Sequence, residues 1–132
     1  MKAIAKGEFD VKLIPQQDEV VISLFGRMTI DKEFLGDLVA RSQGQMLSSG
    51  TAISGSAGYV AIERVEGALE GKTGTFVLQH NATMNRGEGT LDIMVVPDSG
   101  TGELEGLSGK FAIIRKDKKH YYEFEYTLPE QV

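Results

Sequence analysis

The chain has 132 residues, no cysteine and a formal net charge of −5. This length fits one domain with its own core, the lack of cysteine excludes disulfides and thiolate metal sites, and the acidic balance argues against a nucleic-acid partner. Neither a leader-like apolar segment at the start nor an apolar run long enough to span a bilayer is present. We therefore expect one cytoplasmic domain over residues 1–132, without a membrane partner.

Alternation of apolar and polar residues with a period of two is the dominant pattern, and it predicts β-strands. In the first such run, Ala5, Phe9 and Val11 share one face, while Lys6, Glu8 and other charged residues occupy the other. In chain order, this pattern predicts strands at Ile4–Leu13, Val20–Ile30, Tyr59–Val65, Thr75–Met84, Thr90–Val96, Lys110–Lys116 and His120–Leu128.

Two of these runs, Val20–Ile30 and Thr90–Val96, are apolar on both faces. One face of such a strand is buried inside the domain, so the other face favours burial against an identical subunit. We therefore expect a homo-oligomer, and the sequence leaves dimer and trimer open.

The segment Phe34–Met46 fits a helix and a strand almost equally well. Asp31 is a suitable helix cap, and Phe34 and Leu38 recur at helical spacing. Gly36 weakens a helix, and the rest of the chain offers no second helix as a packing partner. These residues favour a strand without excluding the helix.

The last two strands predict their own register. A short turn at Asp117-Lys118 pairs Phe111 with Phe124, Ile113 with Tyr122, and Arg115 with His120. The apolar faces of the two runs then coincide, which supports the hairpin more strongly than either run alone.

A glycine-rich pattern, G-x-L-E-G-x-[T/S]-G-x-F, occurs at 67–76 and again at 102–111. Glycine adopts turn conformations that other residues avoid, so the repeat predicts two similar corners of the sheet. Each corner is expected to lead into a long strand that begins with an inward phenylalanine.

The stretches 60–67, 71–80 and 100–109 resemble the signature of the bacterial DUF3224 proteins. The likeness covers roughly residues 34–128. It implies an antiparallel eight-stranded β-barrel similar to the allene oxide cyclase barrel, with a lipocalin-like interior, and it implies a strand over Phe34–Met46. It carries no catalytic residues over to this chain.

Glu63 and His80 are the candidate catalytic residues. They flank the first glycine corner on neighbouring strands, so a suitable register brings them together as an acid–base pair. The alternatives are a carboxylate paired with Arg64 or Arg41 on a solvated face, and a histidine bonded to a backbone group.

Four further side chains are candidate ligand-binding groups in the lumen, although ordinary cross-strand pairing also accounts for them: Arg41, Tyr59, Arg115 and Tyr122. Two histidines far apart in sequence do not predict a metal site, and no motif predicts a cofactor.

Two functions fit these features of the sequence. The first is a barrel that binds a small hydrophobic molecule in its lumen and isomerises or cyclises it, with the enzymatic step left open. The second is a non-catalytic, oligomeric binding or structural module whose barrel is filled by its own side chains.

Overall fold

The computed structural model of the chain describes residues 2–16 and 25–129. Its eight antiparallel strands form a closed barrel in which each strand pairs with its neighbours in chain order and β1 pairs with β8. This confirms the all-β, eight-stranded barrel. The strands are β1 Lys2–Pro15, β2 Phe25–Phe34, β3 Leu38–Gly50, β4 Ala57–Leu69, β5 Lys72–Asn85, β6 Glu88–Val95, β7 Ser108–Lys116 and β8 Lys119–Thr127.

Most ends of the described strands lie a few residues beyond the predicted bounds. Residues 20–24 of the predicted strand Val20–Ile30 lie outside the described residues, and the remainder belongs to β2. The segment Phe34–Met46 contains strand and no helix, as the resemblance implies. It is split, however, because Phe34 ends β2 and a turn at 35–37 precedes Leu38. Gly36 in this turn has φ +99°, a left-handed conformation that favours glycine.

The hairpin of β7 and β8 has the predicted register. Phe111 pairs with Phe124, Ile113 with Tyr122 and Arg115 with His120. The two turn residues, Asp117 and Lys118, have φ values of 53° and 66°, as the tight two-residue hairpin turn requires.

The prediction that the two glycine-rich repeats form similar corners is wrong. The first repeat is a plain hairpin, in which Glu70-Gly71 turns β4 into β5. The second contains a single turn of 3-10 helix, Gly102–Leu104, within the connection between β6 and β7. The two repeats share a buried leucine, Leu69 or Leu104, and a buried phenylalanine, Phe76 or Phe111. They also share a left-handed glycine, with φ +84° at Gly71 and +82° at Gly106. The same glycine spacing therefore serves two different backbone paths.

One end of the barrel is filled by its own side chains. The β6–β7 connection bonds along the edge of β5, where the Thr101 amide donates to the Thr75 carbonyl, and it then places Leu104 and Leu107 in the core. Aromatic rings pack across the interior next to them, with Phe111 and Phe124 4.9 Å apart between ring centroids. This end and the middle of the barrel are therefore closed to a ligand.

Tyr122 fixes the turn between β2 and β3 from inside the barrel. Its hydroxyl donates to the Leu35 carbonyl at 2.8 Å and accepts from the Leu38 amide at 2.8 Å.

In the described residues, no helix is long and apolar enough to cross a membrane.

Candidate functional site: a buried polar cluster beneath an apolar cavity

Four adjacent strands each place one polar side chain inside the barrel. They do so because alternate residues of a strand point inward, and these residues share the inward face with apolar neighbours. All four are buried, and Glu63 is completely inaccessible to solvent. The cluster consists of Lys32 on β2, Ser42 on β3, Glu63 on β4 and His80 on β5.

The Glu63 carboxylate is the centre of this polar cluster. Its Oε2 atom lies 2.8 Å from the Lys32 ammonium and 2.6 Å from His80 Nε2. Its Oε1 atom accepts a hydrogen bond from the Ser42 hydroxyl at 2.7 Å. Both carboxylate oxygens therefore have hydrogen-bond partners inside a region that excludes water. A buried charge requires such partners.

The pKa of Glu63 is lowered from its ordinary value of 4.5 to about 2. Burial acts to raise this pKa, but the hydrogen bond from His80 and the positive charge of Lys32 outweigh burial. Glu63 is therefore a carboxylate, which only accepts hydrogen bonds, so His80 carries a proton on Nε2. The other ring nitrogen of His80, Nδ1, has no hydrogen-bond partner among the described residues.

The packing around the polar cluster holds it in place. Gly44 pairs directly with Glu63 across β3 and β4, and a Cβ atom at this glycine would lie 2.6 Å from the Glu63 Cα atom. The Lys32 ammonium lies 5.2 Å from the centroid of the Phe9 ring and 5.9 Å from that of Phe34, within cation–π range. Lys32 is thus held by a carboxylate and two aromatic rings.

An apolar cavity of about 550 Å³ lies at the other end of the barrel. Ligand pockets in proteins typically measure about 300–1,000 Å³, so this cavity is large enough for one small molecule. None of the described residues that line it is charged. They are Leu13, Met28, Met46, Ser48, Ala57, Gly58, Tyr59, Ala82, Thr83, Met84, Gly89, Thr90 and Leu91.

The polar cluster lies one layer deeper than this cavity. Its four residues do not line the cavity, and the small inward residues Ala61 and Ala82 follow Glu63 and His80 toward the open end of their strands. Tyr59 connects the two regions, because it lines the cavity and is close enough for the charge of Glu63 to act on it. Burial, followed by that charge, raises the pKa of Tyr59.

The structure brings the two candidate catalytic residues together. Glu63 and His80 approach across the β4–β5 ladder as predicted, in a diagonal arrangement in which His80 pairs with Ala61. The alternative pairing of Glu63 with an arginine is wrong: Arg64 bonds to Glu66, and Arg41 bonds to Asp31, both on the outer surface. A catalytic role for the pair stays a prediction.

The four expected ligand-binding residues are scattered. Only Tyr59 lines the cavity. The expected lumen position of Arg41 is wrong, because its side chain lies outside and bonds twice to Asp31. Arg115 is exposed near the tip of the β7–β8 hairpin, and the Tyr122 hydroxyl is occupied by the β2–β3 turn.

Sequence reasoning missed Lys32 and Ser42. A signal for both exists, since each continues an inward series of apolar residues: Lys32 lies between Ile30 and Phe34, and Ser42 follows Leu38 and Ala40. A lysine at such a position requires a buried partner.

Among the described residues, no group of three acidic or histidine side chains is placed to hold a metal ion.

The fold and the cavity define this protein as a small closed antiparallel β-barrel with an apolar cavity at one end and a buried ionic cluster beneath it. Its family is given by sequence: residues 5–126 match the family described as protein of unknown function (DUF3224), and the chain belongs to that family. It is also similar to a crystal structure titled as a protein with unknown function from the DUF3224 family, from Shewanella oneidensis MR-1. The two are 48% identical, with a TM-score of 0.92, over 99% of this chain and 100% of the other. No curated protein matches the chain.

Proposed function

We propose that this barrel binds one small, predominantly apolar molecule at the open end of its lumen. The observation that carries the proposal is the cavity of about 550 Å³, with its aliphatic and methionine lining. Leu13, Met84 and Leu91 in this lining are each more than 40% exposed, although apolar side chains of this size gain free energy when they are covered. A bound apolar molecule would cover them.

The flexible methionines at the cavity fit this role. Met28, Met46 and Met84 all line it, and unbranched thioether side chains adapt to ligands of irregular shape. Eight-stranded barrels have room for a single small ligand inside.

The proposal includes a cytoplasmic location and the predicted likeness to the allene oxide cyclase barrel. The binding test depends on neither of them.

A single introduced tryptophan tests the proposal, since the native chain contains none. Met46→Trp places the indole in the cavity, and Leu47→Trp places it on the outer face one residue later. Titration with a long-chain bromoalkane, a heavy-atom quencher, should quench the fluorescence of the Met46→Trp variant at saturable concentrations. It should leave that of Leu47→Trp unchanged. Equal quenching of the two variants, or quenching of neither, would refute binding in the cavity.

Acid–base chemistry on the bound molecule, such as an isomerisation or cyclisation, is a second candidate function. The 2.6 Å contact between Glu63 and His80 favours it. The carboxylate orients the imidazole, and Nδ1 of His80, which has no partner among the described residues, would take the proton from a ligand that reaches past the cavity lining into the deeper layer. In deuterated water, the wild type should speed exchange of the hydrogens next to the carbonyl of a long-chain ketone, and His80→Gln should not. Equal exchange rates in the two proteins would exclude His80 as the base.

Self-association, the other expectation from sequence, is supported by an apolar patch on the outside of β3 and β4. Leu47 and Val60 are direct partners, Ile62 follows on the same face, and each is more than half exposed. Subunit interfaces have apolar centres of this kind. Sedimentation should show an oligomer for the wild type and a monomer for Val60→Lys. A monomeric wild type would exclude the oligomer.

A further inference from the structure

The polar groups of the cavity indicate which apolar ligands it accepts. Two hydroxyls, of Ser48 and Tyr59, stand at inward positions of their strands. Thr83 and Thr90 also border the cavity, but they are cross-strand partners at outward positions and their hydroxyls bond to each other at 2.8 Å. Ser48 and Tyr59 have no hydrogen-bond partner among the described residues. Tyr59 is half-buried, and the charge of Glu63 acts on its hydroxyl, so Tyr59 is the lining residue that the structure links to the polar cluster.

The charges around the cavity disfavour an anionic ligand. Among the described lining residues there is no lysine, arginine or histidine to pair with a carboxylate or phosphate. The nearest buried cation, Lys32, lies in the deeper layer and is already paired with Glu63 at 2.8 Å. An anion in the cavity would therefore lose its hydration without gaining a partner.

The same arrangement keeps Tyr59 protonated. Burial raises the pKa of its hydroxyl, and the negative charge of Glu63 adds to this effect. A protonated phenol donates one hydrogen bond, and the apolar wall around it strengthens that bond by excluding water. The cavity thus offers the Tyr59 hydroxyl, next to that of its cross-strand partner Ser48, as a donor in otherwise apolar surroundings.

We infer that the ligand is an uncharged apolar molecule with one hydrogen-bond acceptor, such as a ketone, ester or ether oxygen, that accepts from the Tyr59 hydroxyl. This inference rests on the proposed function, since it names the ligand class of the same cavity. It separates lipid-like ketones, esters and ethers from free fatty acids of the same length.

Three ligands of equal carbon number test the inference: methyl nonyl ketone, undecanoate and undecane. Dissociation constants are obtained from thermal denaturation midpoints measured over a series of ligand concentrations at neutral pH. We expect the ketone to bind about fivefold more tightly than the alkane, the ratio that one net hydrogen bond of ordinary strength gives. The carboxylate should bind least tightly of the three.

Tyr59→Phe is the decisive variant, because it removes the hydroxyl and keeps the ring. It should weaken binding of the ketone at least fivefold, because the buried carbonyl loses its donor, and it should not weaken binding of the alkane. Tyr121→Phe, which removes a hydroxyl on the outer face of β8, should change neither affinity.

Tighter binding of undecanoate than of the ketone would overturn the inference while leaving the proposed function intact. An unchanged ketone affinity in Tyr59→Phe would also overturn it. Binding of none of the three ligands would overturn the proposed function and the inference with it.

Discussion

Gly44 and Glu63 are direct partners across the β3–β4 ladder, and the missing side chain of the glycine leaves room for the buried glutamate. A Cβ atom at Gly44 would meet the Ile62 carbonyl oxygen as well as Cα and Cβ of Glu63. Two of these three atoms belong to the backbone, which cannot move without disturbing the ladder. Gly44 is therefore needed for the placement of Glu63 in the polar cluster.

Gly44→Ala should accordingly destabilise the barrel, by about 1–3 kcal/mol or more, because the strands must separate to accept the methyl group. Gly50→Ala is the matched control at the end of the same strand, where a Cβ atom would meet nothing within 4 Å. It should change the free energy of unfolding by less than about 1 kcal/mol. Urea denaturation measures both, and equal effects at the two glycines would contradict the close approach.

Removing the charge of Glu63 should cost more than removing the whole ion pair. Glu63→Gln leaves Lys32 charged, buried and unpaired, which typically costs about 3–5 kcal/mol. The double variant Lys32→Met/Glu63→Gln removes both charges and should be more stable than the single variant. The comparison uses the free energies of unfolding of both variants.

Glu66→Gln provides the surface control on the same strand. Glu66 bonds to Arg64 at 3.2 Å with both side chains mainly exposed, so its loss should cost about 0–1 kcal/mol. If Glu63→Gln proves as mild as Glu66→Gln, the buried charge network is not present in solution.

The pKa of Glu63 predicts an acid-dependent loss of stability. The folded-state pKa of about 2 lies below the ordinary value of 4.5, so the folded state binds this proton less readily than the unfolded state. The contribution of Glu63 is therefore complete above pH 4.5 and is lost as the pH falls to about 2. It amounts to about 3 kcal/mol. Thermal denaturation across this pH range should show the loss in the wild type.

The double variant Lys32→Met/Glu63→Gln serves as the control for this pH dependence. It has no carboxyl group at position 63, so its stability should fall less steeply over the same range. Identical pH profiles for the wild type and the double variant would assign the acid sensitivity to other carboxyl groups.

Tyr122 should contribute to stability through its hydroxyl. Tyr122→Phe leaves the Leu38 amide and the Leu35 carbonyl without their partner, and an unpaired buried backbone group costs about 1–3 kcal/mol. Tyr121→Phe, on the opposite face of the same strand, should be close to neutral. Chemical denaturation distinguishes the two, and similar stabilities would show that water replaces the hydroxyl at the turn.

Much of the fold was predictable from local sequence. The period-two alternation gives the inward face of β1, and the two independent runs around Asp117-Lys118 give the register of the β7–β8 hairpin. Both depend on side chains close in sequence, where strand geometry leaves few alternatives.

The glycine repeats and the polar cluster were less predictable, for a physical reason. Whether a glycine ends a strand, as in the Gly71 turn, or enters a 3-10 turn, as at Gly102, depends on what packs against it. The pairing of Lys32 with Glu63 links residues 31 positions apart, across two strand-to-strand registers. No local pattern encodes both registers. The contact between Lys32 and Glu63 therefore follows from the three-dimensional structure and not from the sequence pattern.

The most direct test of the central claim uses the methionine methyl groups as reporters in nuclear magnetic resonance. Met28, Met46 and Met84 line the cavity, whereas Met94 lies on the outside of β6 and serves as an internal control. Titration of isotope-labelled wild-type protein with methyl nonyl ketone should shift the three cavity signals and leave that of Met94 in place. A shift confined to Met94, or no shift of the three cavity signals at any ligand concentration, would contradict binding in the lumen.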